Sequence, residues 1–477
     1  MSSAVFEQHA SPIVAHPVPG NLHRLLILRN GASELLVAGD RSPFTLPGVE
    51  IPRWERVAEN LTAAVRKRYG ISAICLFAPE LLPTATDGEP RFYQVMETRH
   101  ASARAPDGTN WLPLDSISDQ SFTHQDRATI AEMLRQIEEF RRGKAFGPFG
   151  RPGWIDELFA WTQREIEPHG LRLTGEYRQL NASPTFALLR LETDHQAVWF
   201  KAVGEPNLRE FSITLRLAQL FPTYVPRILA TCPSCNGWLS WEIEGTQQRG
   251  TGEIDFWETT AAALASLQIE SIKECKPLLD AGAHDLGFAK LAGLVHPFLD
   301  VANLLMDRQT KIPPPRLSRK ELASLGKHIE DALHLVGNLG VPDSLGHLDP
   351  NPGNIIISPL GCVFLDWAEA YVGHPFFTLG YLLEYFRRAV GKQKQLENRL
   401  IDSYARGWRQ VVSPAVIAES FAVVPLLAAF AYTTRCWLCG DQERLRQPET
   451  AAYLRALTRR MSQEANQRAC RRHQCSG

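Results

Sequence analysis

Cysteine is scarce, charge of either sign is balanced, and no long apolar run occurs. Nine cysteines in 477 residues do not make a disulfide scaffold, and in a reducing compartment so sparse a set stays as thiols. Basic and acidic side chains number 51 and 52. The chain therefore lacks the positive excess that a nucleic-acid partner would call for. No apolar run approaches the roughly 18 residues of a membrane span. The opening residues, MSSAVFEQHASPIVAHPVPG, lack a basic n-region followed by an apolar h-region, so no secretory signal is expected. These absences make a cytoplasmic protein the expectation, with no nucleic-acid and no membrane partner. Two Cys-x-x-Cys pairs occur, Cys232/Cys235 and Cys436/Cys439. Together they would supply the four ligands of a structural zinc site. Their wide separation makes a turn and a helix that happen to carry thiols the plainer reading.

What the chain does have is one dense polar stretch, His347-Leu348-Asp349-Pro350-Asn351-Pro352-Gly353-Asn354, followed by a hydrophobic run that ends at Asp366-Trp367. Ile355-Ile356-Ile357 and Val363-Phe364-Leu365 read as strands, and Pro359-Leu360-Gly361 as the turn between them. A hairpin symmetric about position 360 sets Asn354 opposite Asp366, and antiparallel partners lie about 5 Å apart at Cα. An amide oxygen and a carboxylate would then share one end of a ribbon. Hard oxygen ligands converging in this way suit Mg²⁺, which takes one or two protein ligands and fills its octahedron with phosphate and water. Asp349, upstream in the loop, is left to act as a base toward a hydroxyl.

The spacing His-x-Asp-x-x-x-x-Asn, with a further Asp twelve residues on, resembles the aminoglycoside phosphotransferase and choline kinase group of kinase-like enzymes. That group begins the loop His-Gly-Asp, where this chain has His347-Leu348-Asp349. A protein kinase would show Asp-Phe-Gly in place of Asp366-Trp367-Ala368 and an Ala-Pro-Glu segment after it. The resemblance implies an α+β, two-lobed, kinase-like fold. Residues 154–248 would form a strand-rich nucleotide lobe, and 249–466 a helical lobe holding the catalytic loop. It implies ATP and Mg²⁺ as cofactors and a small hydroxylated molecule as acceptor. Asp349 would be catalytic. His347 would hold the loop backbone, and Asn354 and Asp366 would hold the metal. The alternative is a nucleotide-binding pseudoenzyme or scaffold.

The rest of the expected site lies upstream. Two strands around Asn181-Ala182-Ser183-Pro184-Thr185 could lay backbone N–H groups over phosphates, with Ser183 and Thr185 as the candidate contacts. This turn has no glycine. Lys201 ends the strand Ala-Val-Trp-Phe-Lys, where a lysine could neutralise phosphate oxygens, and Glu210, early in the following helix, could fix it. By the family resemblance, Trp241, Glu242 and Ile243 would stand against the base of the nucleotide. Past residue 254 the apolar spacing turns helical. Glu369 and Glu384 would suit a cationic acceptor.

Residues 21–145 form a first unit, after a flexible 1–20. Residues 146–153, rich in glycine and proline, read as a linker, and 467–477 as a flexible tail. The order of strand, Leu46-Pro47-Gly48, helix, Gly70 and strand resembles a Nudix domain. Gly48, Glu55 and Gly70-Ile71 fall on that family's pattern. The positions that should carry its catalytic carboxylates read Ala64, Lys67 and Arg68. Two cations there would repel a divalent metal, so the resemblance implies a degenerate domain with a binding or docking role.

Overall fold

The computed structural model describes residues 20–474 except 30, 53–55, 79–91, 100–103, 119, 123, 144–146, 248–251, 436–444 and 446. Glu55 and the pair Cys436/Cys439 fall outside the described residues. The chain is α+β and divides into two compact units, 1–211 with 227–242 and 212–226 with 243–477. Among the described residues no single helix is long and apolar enough to cross a membrane.

The first unit carries two sheets. The six-stranded one runs Ala73–Phe77, Phe92–Thr98, Gly20–Arg29, Glu34–Ala38, Thr109–Pro113, with Gly48–Pro52 also paired to Gly20–Arg29. The pairing of Gly20–Arg29 with Phe92–Thr98 is parallel, and the others are antiparallel. The continuous run Leu25-Leu26-Ile27-Leu28 follows from burial on both faces, since alternate residues point to opposite sides. Leu25 and Ile27 pack with Leu61 and Val65 of helix Val57–Tyr69. Leu26 and Leu28 pack with Ile130 and Ile137 of helix His124–Arg141.

The second sheet is wholly antiparallel, in the order Ile228–Cys232, Gly237–Trp241, Val198–Ala202, Ala187–Thr193, Leu173–Ala182. Its Leu189, Phe200 and Leu239 lie in the same apolar core as Leu26 and Leu28. The two sheets therefore share a core. They also meet through one amide: buried Gln179 takes the Cys75 N–H at 2.8 Å and donates to the Cys75 carbonyl at 3.0 Å. Both ladders are irregular there, with register shifts at Cys75/Phe77 and Gln179/Asn181. The side chain supplies the pairing that the bulged backbones do not make.

Of the Nudix-like positions, Ala64 packs against the core, Lys67 is exposed, and Arg68 Nη1 donates to the Gly48 carbonyl at 2.7 Å. A cation of the chain's own helix thus takes that carbonyl at the start of the strand.

The glycine- and proline-rich stretch reads as a spacer, yet its described part is packed. Phe149 is buried, and its N–H donates to the Pro184 carbonyl at 3.0 Å. Gly147 has φ +82, and a Cβ there would overlap the Pro184 carbonyl. Gly147→Ala is therefore expected to lose about 3 kcal/mol in urea unfolding of the full chain. Gly31→Ala is also left-handed but faces open space, and should lose only about 1 kcal/mol.

The second unit is mainly helical. One core joins helices Ile254–Ser271, Val295–Asp307, Arg319–Leu339, Phe376–Val390, Lys394–Trp408 and Val424–Thr433. The helical spacing expected past residue 254 is interrupted by a strand, His284–Leu286, before two helices, Phe288–Gly293 and Val295–Asp307. Two small sheets sit beside these helices. In one, Ala370–Gly373 pairs parallel with His284–Leu286 and antiparallel with Ser344–His347. In the other, Ile355–Ser358 pairs with Gly361–Phe364 and with Thr246–Gln247.

Candidate functional site

The hairpin after the polar loop differs from its expected register by one residue. Ile355 pairs with Phe364 and Ser358 with Gly361, so Pro359-Leu360 is a two-residue turn. Ser358 Oγ accepts the Leu360 N–H at 3.1 Å, and Gly361 takes φ +137. These two features close the ribbon more tightly than a turn centred on 360. Asn354 consequently faces Leu365, whose N–H donates to the Asn354 carbonyl at 2.8 Å. Asp366 lies one residue beyond the ladder, in the left-handed region at φ 60, ψ 65. That conformation costs a non-glycine residue roughly 1–2 kcal/mol, with aspartate among the more tolerant types.

Strand Ser344–His347 delivers the loop. His347 is 1% exposed. Its Nδ1 accepts the Asp349 N–H at 3.0 Å, so the ring proton belongs on Nε2, which lies 3.0 Å from the Leu365 carbonyl. Both ring nitrogens are spent inside the protein, one on the loop of Asp349 and one on the strand that leads to Asp366. His347 is thus a positioning residue. Its own N–H donates to Thr378 Oγ1 at 3.0 Å, and Thr378 Oγ1 lies 3.1 Å from Tyr371 Oη.

The Asp349 carboxylate is held on both oxygens. Tyr385 Oη donates to Oδ1 at 2.5 Å. Asn351 Nδ2 and Asn354 Nδ2 donate to Oδ2 at 2.9 and 3.1 Å. Asn354 Nδ2 also reaches the Asp349 carbonyl at 3.1 Å. Because the Asn354 amide nitrogen faces Asp349, its Oδ1 is the atom left for another partner. Asp349 pushes the Tyr385 hydroxyl far above its ordinary range, after burial, which is the larger cause.

Glu369 completes an acidic cluster. Burial, and after it the negative charges of Asp349 and Asp366, push its carboxyl up to about 7, against the opposing pull of Arg435. Arg435 Nη1 bonds its Oε1 at 3.1 Å, while Oε2 is buried with no hydrogen-bond partner among the described residues. The unfolded carboxyl titrates near 4.5 and the folded one near 7. Between those values the folded protein keeps a proton that the unfolded chain has released. Stability therefore falls as pH rises through the window and levels off above it. Glu369→Gln should remove this slope, read as urea midpoints at about pH 5 and about pH 7.5 in metal-free buffer.

In the first unit, Lys201 Nζ and Glu210 Oε1 are directly paired, with side chains 15% and 2% exposed. Strand Val198–Ala202 and helix Arg209–Leu220 bring them together. The turn at Ser183 and Thr185 uses its amides internally: Ser183 N–H donates to the Phe186 carbonyl at 3.0 Å, and Thr185 N–H to Ser183 Oγ at 3.3 Å. Glu242 holds Arg190 through both carboxylate oxygens, at 2.7 and 2.9 Å. Its N–H donates to the Ala197 carbonyl, and its carbonyl accepts Gln196 Nε2 at 2.7 Å. The Trp241 N–H is likewise spent on the Arg227 carbonyl. Ile243 is the one of the three whose backbone groups make no hydrogen bond among the described residues.

The model of the Phosphotransferase enzyme family matches residues 202–415. This segment is similar to that family. It begins at Ala202, beside Lys201, and runs past the polar loop, the hairpin and Tyr385. A comparison with curated proteins gives no match. Among solved structures the chain is similar to a macrolide 2'-phosphotransferase from Brachybacterium faecium, at 15% identity over 63% of this chain and 98% of that one, with TM-score 0.41. It is also similar to a choline kinase from Streptococcus pneumoniae, at 14% identity, 64% and 99% coverage and TM-score 0.42. A third is an ethanolamine kinase from Plasmodium vivax, at 14% identity, 63% and 83% coverage and TM-score 0.43. Likenesses of this degree leave the acceptor of this chain open.

Sequence reasoning misses Tyr385, Arg435 and Thr378. Tyr385 comes from helix Phe376–Val390, 36 residues beyond Asp349, and its type and spacing are those of an ordinary core aromatic. Asn351 was legible as turn material, since its Oδ1 accepts the Gly353 N–H at 2.8 Å, but its hold on Asp349 was not. Of the two Cys-x-x-Cys pairs, Cys232 and Cys235 bring their sulfurs to 3.1 Å. Among the described residues no group of three His, Cys, Asp or Glu could hold a metal ion.

Proposed function

We propose that this chain transfers the γ-phosphoryl group of ATP to a hydroxyl of a small molecule. The observation that carries the reading is the Asp349 carboxylate, oriented by Tyr385 on one oxygen and by Asn351 and Asn354 on the other. Asp349 accepts the proton of the acceptor hydroxyl as its oxygen bonds to the γ-phosphorus. The bond to the β,γ-bridging oxygen breaks, and ADP leaves. Catalysis of this type is positioning and electrostatics, so a base whose two oxygens are fixed is the part the chemistry needs most.

The donor set fits Mg²⁺. Asn354 offers Oδ1 and Asp366 a carboxylate, both hard oxygens. Burial is the main cause of the raised Glu369 carboxyl, and the charges of Asp349 and Asp366 add to it; a divalent cation would offset that negative charge. Held by Asn354 and Asp366, Mg²⁺ would supply positive charge to offset that of the phosphates. Lys201, fixed by Glu210, is assigned to phosphate neutralisation, and the Ile243 backbone to the nucleotide base.

The test is a panel of hydroxylated small molecules (aminoglycosides, choline-like alcohols, amino-alcohols and sugars) incubated with ATP and Mg²⁺. Wild type should phosphorylate at least one, and Asp349→Asn should not. ATP binding without transfer to any acceptor would favour the pseudoenzyme.

A further inference from the structure

Cys232-Pro233-Ser234-Cys235 forms the turn between strands Ile228–Cys232 and Gly237–Trp241. Pro233–Cys235 is a single 3₁₀ turn, closed by the Asn236 N–H on the Pro233 carbonyl at 3.2 Å and by Asn236 at φ 47. Cys232 and Gly237 pair across the ladder. The turn is thus fixed at both ends, and it holds the two sulfurs 3.1 Å apart. A disulfide bond is about 2.0 Å long, so an approach of about 1 Å would join them. The two thiols differ in setting. Cys232 lies among exposed Thr231, Pro233 and Ser234, its Sγ 3.3 Å from Ser234 Oγ. Cys235 packs against the core that contains Phe200. A Cβ at Gly237 would meet both the Cys235 sulfur and the Phe200 ring at 3.0 Å, so the glycine leaves the space this sulfur fills. Burial, and after it the Cys232 sulfur, push the Cys235 thiol far above its ordinary range. Among the described residues no third ligand joins the pair, and two thiols fall short of the four ligands of a structural zinc site.

We propose that Cys232 and Cys235 are a reversible redox pair, closed to an intramolecular disulfide by exchange with a small-molecule disulfide of the glutathione type. Cys232, as thiolate, attacks one sulfur of the oxidised reagent. The reagent's S–S bond breaks, one reduced thiol leaves, and Cys232 carries a mixed disulfide. Cys235 then loses its proton and attacks the Cys232 sulfur. The mixed S–S bond breaks and the second reduced thiol leaves. Each protein thiol gives its proton to solvent, and each leaving thiolate takes one up. Two protein thiols are oxidised, and one disulfide is reduced to two thiols. In a reducing compartment such a bond is transient and serves sensing. The turn abuts the strand that carries Lys201. The Asn236 carbonyl accepts the Val203 N–H at 3.2 Å, and Trp238 pairs with Lys201 in the ladder, its ring 5.8 Å from Lys201 Nζ. Closing the disulfide stiffens the turn and, through Asn236, the end of that strand.

The experiment equilibrates the full chain in glutathione buffers of rising oxidised fraction, blocks free thiols with iodoacetamide in denaturant, and weighs the tryptic peptide 228–249. That peptide holds Cys232 and Cys235 and no other cysteine. Reduced protein should give the peptide with both thiols alkylated. Oxidised protein should give it two hydrogens lighter with neither alkylated, and dithiothreitol should restore the first form. Cys235→Ser should stop at the mixed disulfide on Cys232, and Cys232→Ser should leave Cys235 as a free thiol. Oxidation should also slow hydrogen exchange at the Val203 amide roughly tenfold in wild type, the constraint a short closed loop supplies, and not in Cys235→Ser. Two alkylated thiols in fully oxidised glutathione, or glutathione on both cysteines with no internal bond, overturn the proposal. A mixed disulfide that forms in Cys232→Ser as readily as in Cys235→Ser overturns the order of attack. Unchanged exchange at Val203 overturns the link to the Lys201 strand.

Discussion

Asp349→Asn is expected to lower the rate of phosphoryl transfer by about 10²–10⁴-fold, the range for loss of a general base, with little change in stability. The second half of this prediction comes from the hydrogen bonds. Asp349 Oδ2 accepts from two side-chain amides and Oδ1 from one phenol. In the variant the amide oxygen can face Asn351 and Asn354, and the new NH₂ can face Tyr385. A phenol can accept as well as donate, so every partner stays satisfied. The loop therefore keeps its shape while losing the group that takes a proton. Steady-state kinetics and urea unfolding of the same preparation check both halves. A rate within threefold of wild type would mean that the Asp349 carboxylate does not act as a base.

Gly346→Ala is expected to damage both stability and turnover, by a different route. Gly346 is buried in Ser344–His347, opposite Tyr371 of Ala370–Gly373. A Cβ at 346 would overlap the Tyr371 ring and hydroxyl. Tyr371 is 0% exposed and cannot swing outward. Its hydroxyl contacts Thr378, which receives the His347 N–H. Relieving the overlap must therefore move the anchor of the catalytic loop. Overpacking of this kind costs about 3 kcal/mol, or roughly 6–12 °C in melting temperature for a unit of this size, and turnover should fall with it. Gly340→Ala, left-handed at φ +69 but facing open space, should lose only about 1 kcal/mol and keep its rate. Equal losses in the two variants would show that the Tyr371 contact does not hold the loop.

The parts of this fold that were legible in the sequence are the ones set by local pattern. Helix Val57–Tyr69, closed by Gly70 in the left-handed conformation, follows from apolar spacing and a terminal glycine. Lys201 and Glu210 meet because a strand end and the next helix's first turn are close along the chain. What the sequence hid was set by packing over long separations. Nothing local marks Tyr385 as the partner of Asp349, or Gln179 as the amide that pairs with Cys75 from 104 residues away. Composition also misled at Gly147 and Phe149. Glycine and proline there serve close approach to the Pro184 carbonyl rather than looseness. The hairpin was legible as a hairpin, but its register depended on how tightly Pro359-Leu360 turns, and one residue of difference moves Asp366 off the ladder.

The proposed function divides labour within residues 347–366: Asp349 would take a proton, while Asn354 and Asp366 would hold Mg²⁺. Calorimetric titration with ATP, with and without Mg²⁺, tests it on wild type, Asp349→Asn and Asp366→Asn. Wild type and Asp349→Asn should bind ATP with the same Mg²⁺-dependent gain in affinity, and Asp366→Asn should lose that gain. An Mg²⁺ gain retained in Asp366→Asn, or lost in Asp349→Asn, would contradict the assignment.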